Sequence, residues 1–400
     1  SLAVLRGEIE PVPARTLAAF APVWQGVTGE PPGGPHALRR AVASLFGASI
    51  PASALERDVL AVRVSDAGAD LDSMLLTGDL VWVGRGRIGA RDGRVALFPR
   101  DRFRHLWRGP ESEPEGRADE IHRFLGANGA SFFADIYQGV GGGDPAEVLD
   151  ALWDLVWSGH VTNDSLHPLR AFLSNRPAKT RGKPNLSGRF PAHAGGRWSL
   201  VPAPAGDDTE TAAAWARLLL DRYGLVSRDT VAGEGVPGGF SSVYPVLSHM
   251  EEAGQIRRGY FVEGLGGAQF ALPGAVDRIR SRPSQPLLWL AATDPANLHG
   301  SVIPWPETET RLAREAGAYV IVEDGNLLAY LDKARTGLTL FAPGRERMDQ
   351  VAAAVASIGS RHRRLTLRTV DGSPAGDSPL ARALAAAGFA TAPRGLTYRG

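Results

Sequence analysis

Ser241, Ser242 and Tyr244 stand at the opening of an apolar-periodic segment, within a stretch, 235–244, that holds no carboxylate. A helix starting there offers unsatisfied backbone N–H groups beside two hydroxyls, a seat for a phosphate. Arg257 and Arg258 follow the segment and Arg228 opens the one before it, so cations flank the same place. Arg85 and Arg87, with Arg91 and Arg94, crowd a second expected hairpin, and 174–197 carries Arg176, Lys179, Arg181, Lys183, Arg189 and Arg197 without an acid. Each neutralised phosphate on a single-stranded or duplex backbone adds salt-dependent affinity. For any arginine taken singly a solvated surface is the plain alternative, and for 174–197 a plain linker.

Turnover chemistry has less support. The P-loop pattern G-x-x-x-x-G-K-[ST] is absent, and Gly182-Lys183-Pro184 is no approximation of it, because Pro lacks the N–H a phosphate would need. The glycine runs 233–239 and 264–267 do not follow a parallel strand and read as turns. G-x-S-x-G and H-E-x-x-H are missing, there is no Cys, and the nine His never pair at metal-ligand spacing. No cofactor or metal is expected in this chain itself.

With 400 residues, 44% hydrophobic and 22% charged, the chain is globular material too long for one small core, so three or four domains are expected. A formal charge of +1 excludes a uniformly basic nucleic-acid binder while permitting basic stripes. Only Lys179, Lys183 and Lys333 are lysines; the remaining positive charge is Arg. No apolar run approaches the roughly 20 residues of a membrane span, and the N-terminus lacks a basic region and cleavage site. No membrane partner and a cytoplasmic location are therefore expected, and the missing initiator Met reads as the mark of an excised fragment.

Three segments repeat one phrase that would position the candidate residues: 71–82, 148–161 around Trp153 and Gly159, and 243–258 around Leu247 and Gly254. Each is an apolar helix stopped by Gly and followed by a strand that turns back. That is the third helix and wing of a winged-helix domain. The fold class read from this is α+β, tandem winged-helix domains followed by a C-terminal β-barrel-like domain with accessory helices. The expected boundaries are a first unit with its lead-in over 1–110, a second over 111–173, a basic Pro/Gly-rich linker over 174–207, a third unit over 208–283, and the barrel-like domain with two helices over 284–400. The strand after Gly159 is short, so no full wing is expected in the second unit. In the last domain 323–326, Glu-Asp-Gly-Asn, marks a hairpin turn.

The third helix of such a unit ordinarily turns its N-terminal residues to the major groove. In the first unit that start carries Asp66, Asp70 and Asp72, and in the second Asp144, Glu147 and Asp150. Carboxylates facing phosphates read DNA poorly, which favours packing scaffold for these two and leaves DNA contact to the third.

Pro22-Val23-Trp24-Gln25-Gly26-Val27, the phrases at 51–56 and 78–84, Tyr260-Phe261-Val262-Glu263-Gly264-Leu265-Gly266-Gly267-Ala268-Gln269-Phe270-Ala271, and Ala292-Thr293-Asp294-Pro295-Ala296-Asn297 are specific in combination. Over essentially its whole length the chain resembles the C-terminal region of the bacterial large helicase-related proteins, Lhr. The resemblance implies part of a long ATP-dependent DNA-repair helicase, a nucleoid-associated hydrolase whose motor domains lie upstream and bind ATP and Mg. It also implies winged helices followed by a β-barrel, similar to the AlkZ-type DNA glycosylases, and self-association as a homotetramer. The Q-x-Q or Q-x-D motif of those glycosylases is absent here. Some Lhr proteins are associated with uracil removal from DNA, which needs a group to position water beside a flipped nucleotide. Asp294, Glu263 and Gln269 are the candidates, although Glu263 as the end of a wing strand and Asp294-Pro295 as a turn opening have adequate structural explanations. Three readings result: a DNA-binding, oligomerising module, a DNA glycosylase acting on uracil or damaged bases, and a protein-interaction scaffold.

Overall fold

Three times the chain runs a helix into a glycine of positive φ and turns back as a strand. Gly68–Leu76 stops at Gly78 (φ 78°) before the strand Leu80–Arg87, Pro145–Trp157 at Gly159 (φ 83°) before Val161–Asn163, and Gly239–Glu252 at Gly254 (φ 71°) before Arg257–Gly259. The last two stops carry the six-to-one bond of a Schellman cap, His160 N–H to Leu155 O and Gln255 N–H to Met250 O, each 2.9 Å. The computed structural model describes residues 10–174, 190–362 and 364–399, and their packing forms two bodies.

One body comprises the described residues of Gly33–Glu56 and Asp66–Ala214. Its first winged helix has Pro35–Ala43, Gly68–Leu76 and a wing of Leu80–Arg87 with Gly93–Pro99, to which Ile50–Pro51 adds a third strand. Trp82, Val83, Leu97 and Phe98 are buried between wing and helices. The second winged helix has Gly116–Asn128, Phe133–Gly139 and Pro145–Trp157. Asp144 accepts from Ala146 N–H at 2.9 Å and Pro145 takes the first helical position, as the Asp-Pro pair requires.

The second wing is fuller than its short outgoing strand promises. Val161–Asn163 pairs with Arg197–Leu200, which also pairs with Ser131–Phe132. The return strand thus lies inside the stretch expected to be a linker over 174–207. It forms because Trp198, fully buried, joins Trp153 at 5.5 Å in the core. Composition averaged over a polar stretch hides one such anchor.

The other body comprises the described residues of Ser1–Pro32, Arg57–Ser65 and Trp215–Gly400. The lead-in assigned by sequence to 1–110 therefore packs here: helix Ala14–Trp24 lies against Pro273–Arg280, with Trp24 Nε1 donating to Asp221 O at 2.9 Å and the Arg278 guanidinium 5.4 Å over the Trp24 ring. The third winged helix uses the C-terminal part of Asp208–Tyr223, then Arg228–Glu234, Gly239–Glu252 and the three-stranded sheet of Leu225–Val226, Gln269–Ala271 and Arg257–Gly259.

The C-terminal region is built on an open six-stranded sheet ordered Leu288–Ala291, Tyr319–Glu323, Asn326–Leu331, Gly337–Leu340, Thr369–Val370 and Ser373–Pro374. Asp324 (φ 48°) and Gly325 (φ 75°) make the expected hairpin turn. A Cβ on Gly325 would come within 1.9 Å of the Arg15 carbonyl oxygen, so the glycine also lets the turn abut helix Ala14–Trp24. The expected barrel does not close among the described residues. Leu365–Leu367 pairs with Gly395–Tyr398 in a separate three-stranded sheet, whereas Thr369–Val370 joins the larger one in parallel with Gly337–Leu340. Arg368 separates Leu365–Leu367 from Thr369–Val370, each of which joins its own sheet. Met348–Ser360 and Ala381–Ala386 are the two principal accessory helices. No described helix is long and apolar enough to cross a membrane.

Candidate nucleic-acid interface

The third winged helix is fixed from its turns outward. Ser227 and Thr230 form a reciprocal capping box that starts Arg228–Glu234, and Gly235 (φ 62°) ends it. Beneath it Arg222 and Glu234 form a buried ion pair, and the Tyr223 hydroxyl donates to the same carboxylate. On the next helix Tyr244 stands 5.7 Å from the rings of both Phe240 and Phe270. Arg258, exposed on the wing strand, lies 5.6 Å over Tyr244 and 5.7 Å over Phe270 and makes no ion pair among the described residues. Arg228 and Ser241 are exposed, and Arg257 is held loosely by Asp277 at 3.7 Å.

Two further groups refine the surface. The Ser242 hydroxyl turns back onto the Pro237 and Gly239 carbonyls, each 2.8 Å away, and so fastens the helix start instead of pointing to a ligand. Tyr260, which spacing alone does not single out, is 51% exposed just beyond Arg258, its hydroxyl accepting from Gly264 N–H. The family phrase that it opens is the signal that marked it.

The three excision candidates stand in different surroundings. Gln269 is fully buried, accepting from Phe261 and Val262 N–H at 2.8 and 2.9 Å and donating to Val262 O at 2.8 Å, which locks the wing loop. Asp294 is fully buried, with both oxygens 2.7 Å from the Arg63 guanidinium and one also accepting from Ala296 N–H. Gln25 Oε1 accepts from the same Arg63 at 3.1 Å. These two groups are committed to holding loops. Glu263 is exposed, past the end of the wing strand Arg257–Gly259 rather than within it, while its N–H binds Val12 O at 2.8 Å.

Three arginines of the first wing are held, while Arg91 is exposed. Arg85 folds over Trp107 at 5.4 Å, Arg87 pairs with Asp154 at 2.6 Å and Arg94 reaches Ser49 O at 3.4 Å. Lys179, Arg181 and Lys183 lie outside the described residues. Asp72 binds Arg170 at 2.6 Å, and Asp144 caps its own helix.

One cluster escaped sequence reasoning altogether. The Tyr319 hydroxyl donates to buried Asp58 at 3.0 Å and stands 2.8 Å from His362 Nε2. Arg361 stacks 4.9 Å over Trp289 and donates to Arg57 O. Burial, reinforced by Arg335 and Arg57, pushes His362 down to about 4, so a neutral ring donates from Nε2 to Tyr319. Burial likewise raises the Tyr319 hydroxyl. Its members come from four distant segments, so no local spacing betrays them.

Residues 12–100 and 205–288 match two family models described as large helicase-related protein, winged-helix domain. A Mycolicibacterium smegmatis protein named "Lhr helicase/ probable uracil glycosylase" is 39% identical over 437 residues, covering 100% of this chain and 29% of the relative. An Escherichia coli protein named "Lhr helicase/uracil glycosylase" is 34% identical over 450 residues with the same coverage. The chain thus spans about 29% of the length of the curated relatives it matches. By both winged-helix matches and by similarity over the whole of the given sequence to part of these relatives, the chain belongs to the large helicase-related family.

Proposed function

We propose that the chain is the DNA-binding and self-associating C-terminal module of an ATP-dependent DNA-repair helicase. The observation that carries this reading is the third winged helix, where Arg258 stacks on Tyr244, Arg228 and Ser241 are exposed, and the stretch 235–244 that opens the helix holds no carboxylate. In this reading the partners are single-stranded or duplex DNA and further copies of the chain, four in all. ATP and Mg act in the motor domains, the module needs no cofactor of its own, and the protein works in the cytoplasm at the nucleoid. Binding of labelled DNA, followed by anisotropy, tests the central part. Sedimentation velocity tests association: a tetramer at micromolar concentration supports it, and a monomer throughout contradicts it.

Both relatives carry uracil glycosylase in their names, which favours base excision as a second reading. Glu263 is then the candidate whose carboxylate meets solvent. Alkali cleavage of uracil-containing strands after incubation, lost in Glu263→Gln, supports excision; uncut strands count against it. The internal use of Asp72 and Asp144 favours a scaffold role for the first two winged helices.

A further inference from the structure

Beside the first wing lies an open cavity of 320 Å³ lined by Ser49, Arg85, Trp107, Glu111, Ser112 and Trp157 among others. Sites for small ligands begin at about this size. Glycines make it: a Cβ on Gly84 would fall 2.0 Å from the Val156 carbonyl oxygen, so only glycine lets the wing strand press on helix Pro145–Trp157, and a Cβ on Gly159 would meet Trp107 at 2.8 Å.

Its chemistry is unfinished. Arg85 is half-buried and stacked on Trp107, and among the described residues it makes neither hydrogen bond nor ion pair. Burial lowers the Arg85 guanidinium by more than the charge of Glu111 restores, and its fork suits oxyanions. Trp157 is 2% exposed and its indole N–H has no partner among the described residues. Trp157 forms part of the cavity wall, so its resonance reports on what binds there. The hydroxyls of Ser49 and Ser112 are likewise uncommitted among the described residues, whereas Ser158 is spent on Asp154 O and His160. Glu111, exposed at the rim, is the one carboxylate lining the cavity.

We propose that this cavity binds a phosphate group, its oxygens taken by the Arg85 guanidinium and the Ser49 and Ser112 hydroxyls. The phosphate is either a free phosphate or a phosphodiester of a nucleic-acid strand. The site is separate from the third winged helix, so its fate is independent of DNA contact there.

Calorimetric titration of the full chain with inorganic phosphate, and separately with a single-stranded oligonucleotide, distinguishes the two sources. The Trp157 indole N–H resonance, identified by its loss in Trp157→Phe, should shift with whichever source binds. Arg85→Gln should weaken that binding about tenfold or more. Glu111→Gln, on the exposed rim and harmless to folding, should tighten it a few-fold because a repelling charge is gone. A phosphate response assigns the site to free phosphate, and a response to the strand alone assigns it to a diester. No resonance shift with either, equal binding by Arg85→Gln, or weaker binding by Glu111→Gln overturns the proposal.

Discussion

The Arg258 guanidinium lies 5.6 Å over the Tyr244 ring, so wing and third helix of the third winged helix share one cationic surface. Stacking restrains a long side chain while leaving its fork open to phosphate. Tyr244→Leu removes the ring face, worth about 0.5–1 kcal/mol at an exposed site. DNA affinity measured by anisotropy should fall roughly two- to fivefold, with thermal stability little changed. Unaltered affinity would mean that the stack has no part in binding.

Asp294 and Arg63 are buried together with bidentate geometry. Removing one partner leaves the other charged and unmatched, at about 3–5 kcal/mol. Asp294→Asn should lower the urea midpoint accordingly. A variant that retains its midpoint and loses uracil cleavage would instead place Asp294 in chemistry.

Arg170 holds Glu56 and Asp72 at 2.7 and 2.6 Å, about one third exposed. Solvent screens this network, so Arg170→Met should cost about 1–2 kcal/mol in urea unfolding. Strand affinity should not change, since Asp72 is not a reading residue. Tighter DNA binding would contradict that assignment.

Much of this was legible beforehand. Gly78, Gly159 and Gly254 each stop a helix, because the same sterics that make glycine permissive at positive φ write it into the sequence. Glu323 to Asn326 was legible for the same reason. The return strand at Arg197–Leu200 and the division at Arg368 were not, because both depend on pairing with remote strands. At the candidate site, Arg228, Ser241 and Arg258 are each exposed, whereas the Ser242 hydroxyl is spent on the helix start. The partners of Asp294, Gln269 and Asp72 lay beyond any local spacing rule, so candidate carboxylates could not be told from structural ones.

His299 is 7% exposed and burial holds it down to about 4, as it does His362. In the unfolded chain each titrates near the usual value of about 6.5. As pH falls from about 6.5 to about 4 the unfolded state takes up protons first, so stability should drop across that window and level off below it. His299→Gln should flatten the decline, as followed by urea midpoints at successive pH values. A midpoint independent of pH there would show that both rings protonate freely in the folded protein.

The salt dependence of DNA binding by the wild-type chain and by an Arg228→Gln, Arg258→Gln double variant bears most directly on the whole account. Every phosphate that no longer meets a cation should lower the slope of log affinity against log salt by about 0.9 on duplex DNA, so the double variant should bind more weakly with a slope reduced by nearly two. Equal slopes and equal affinities, or no binding by the wild type at low salt, would contradict a DNA-contacting third winged helix.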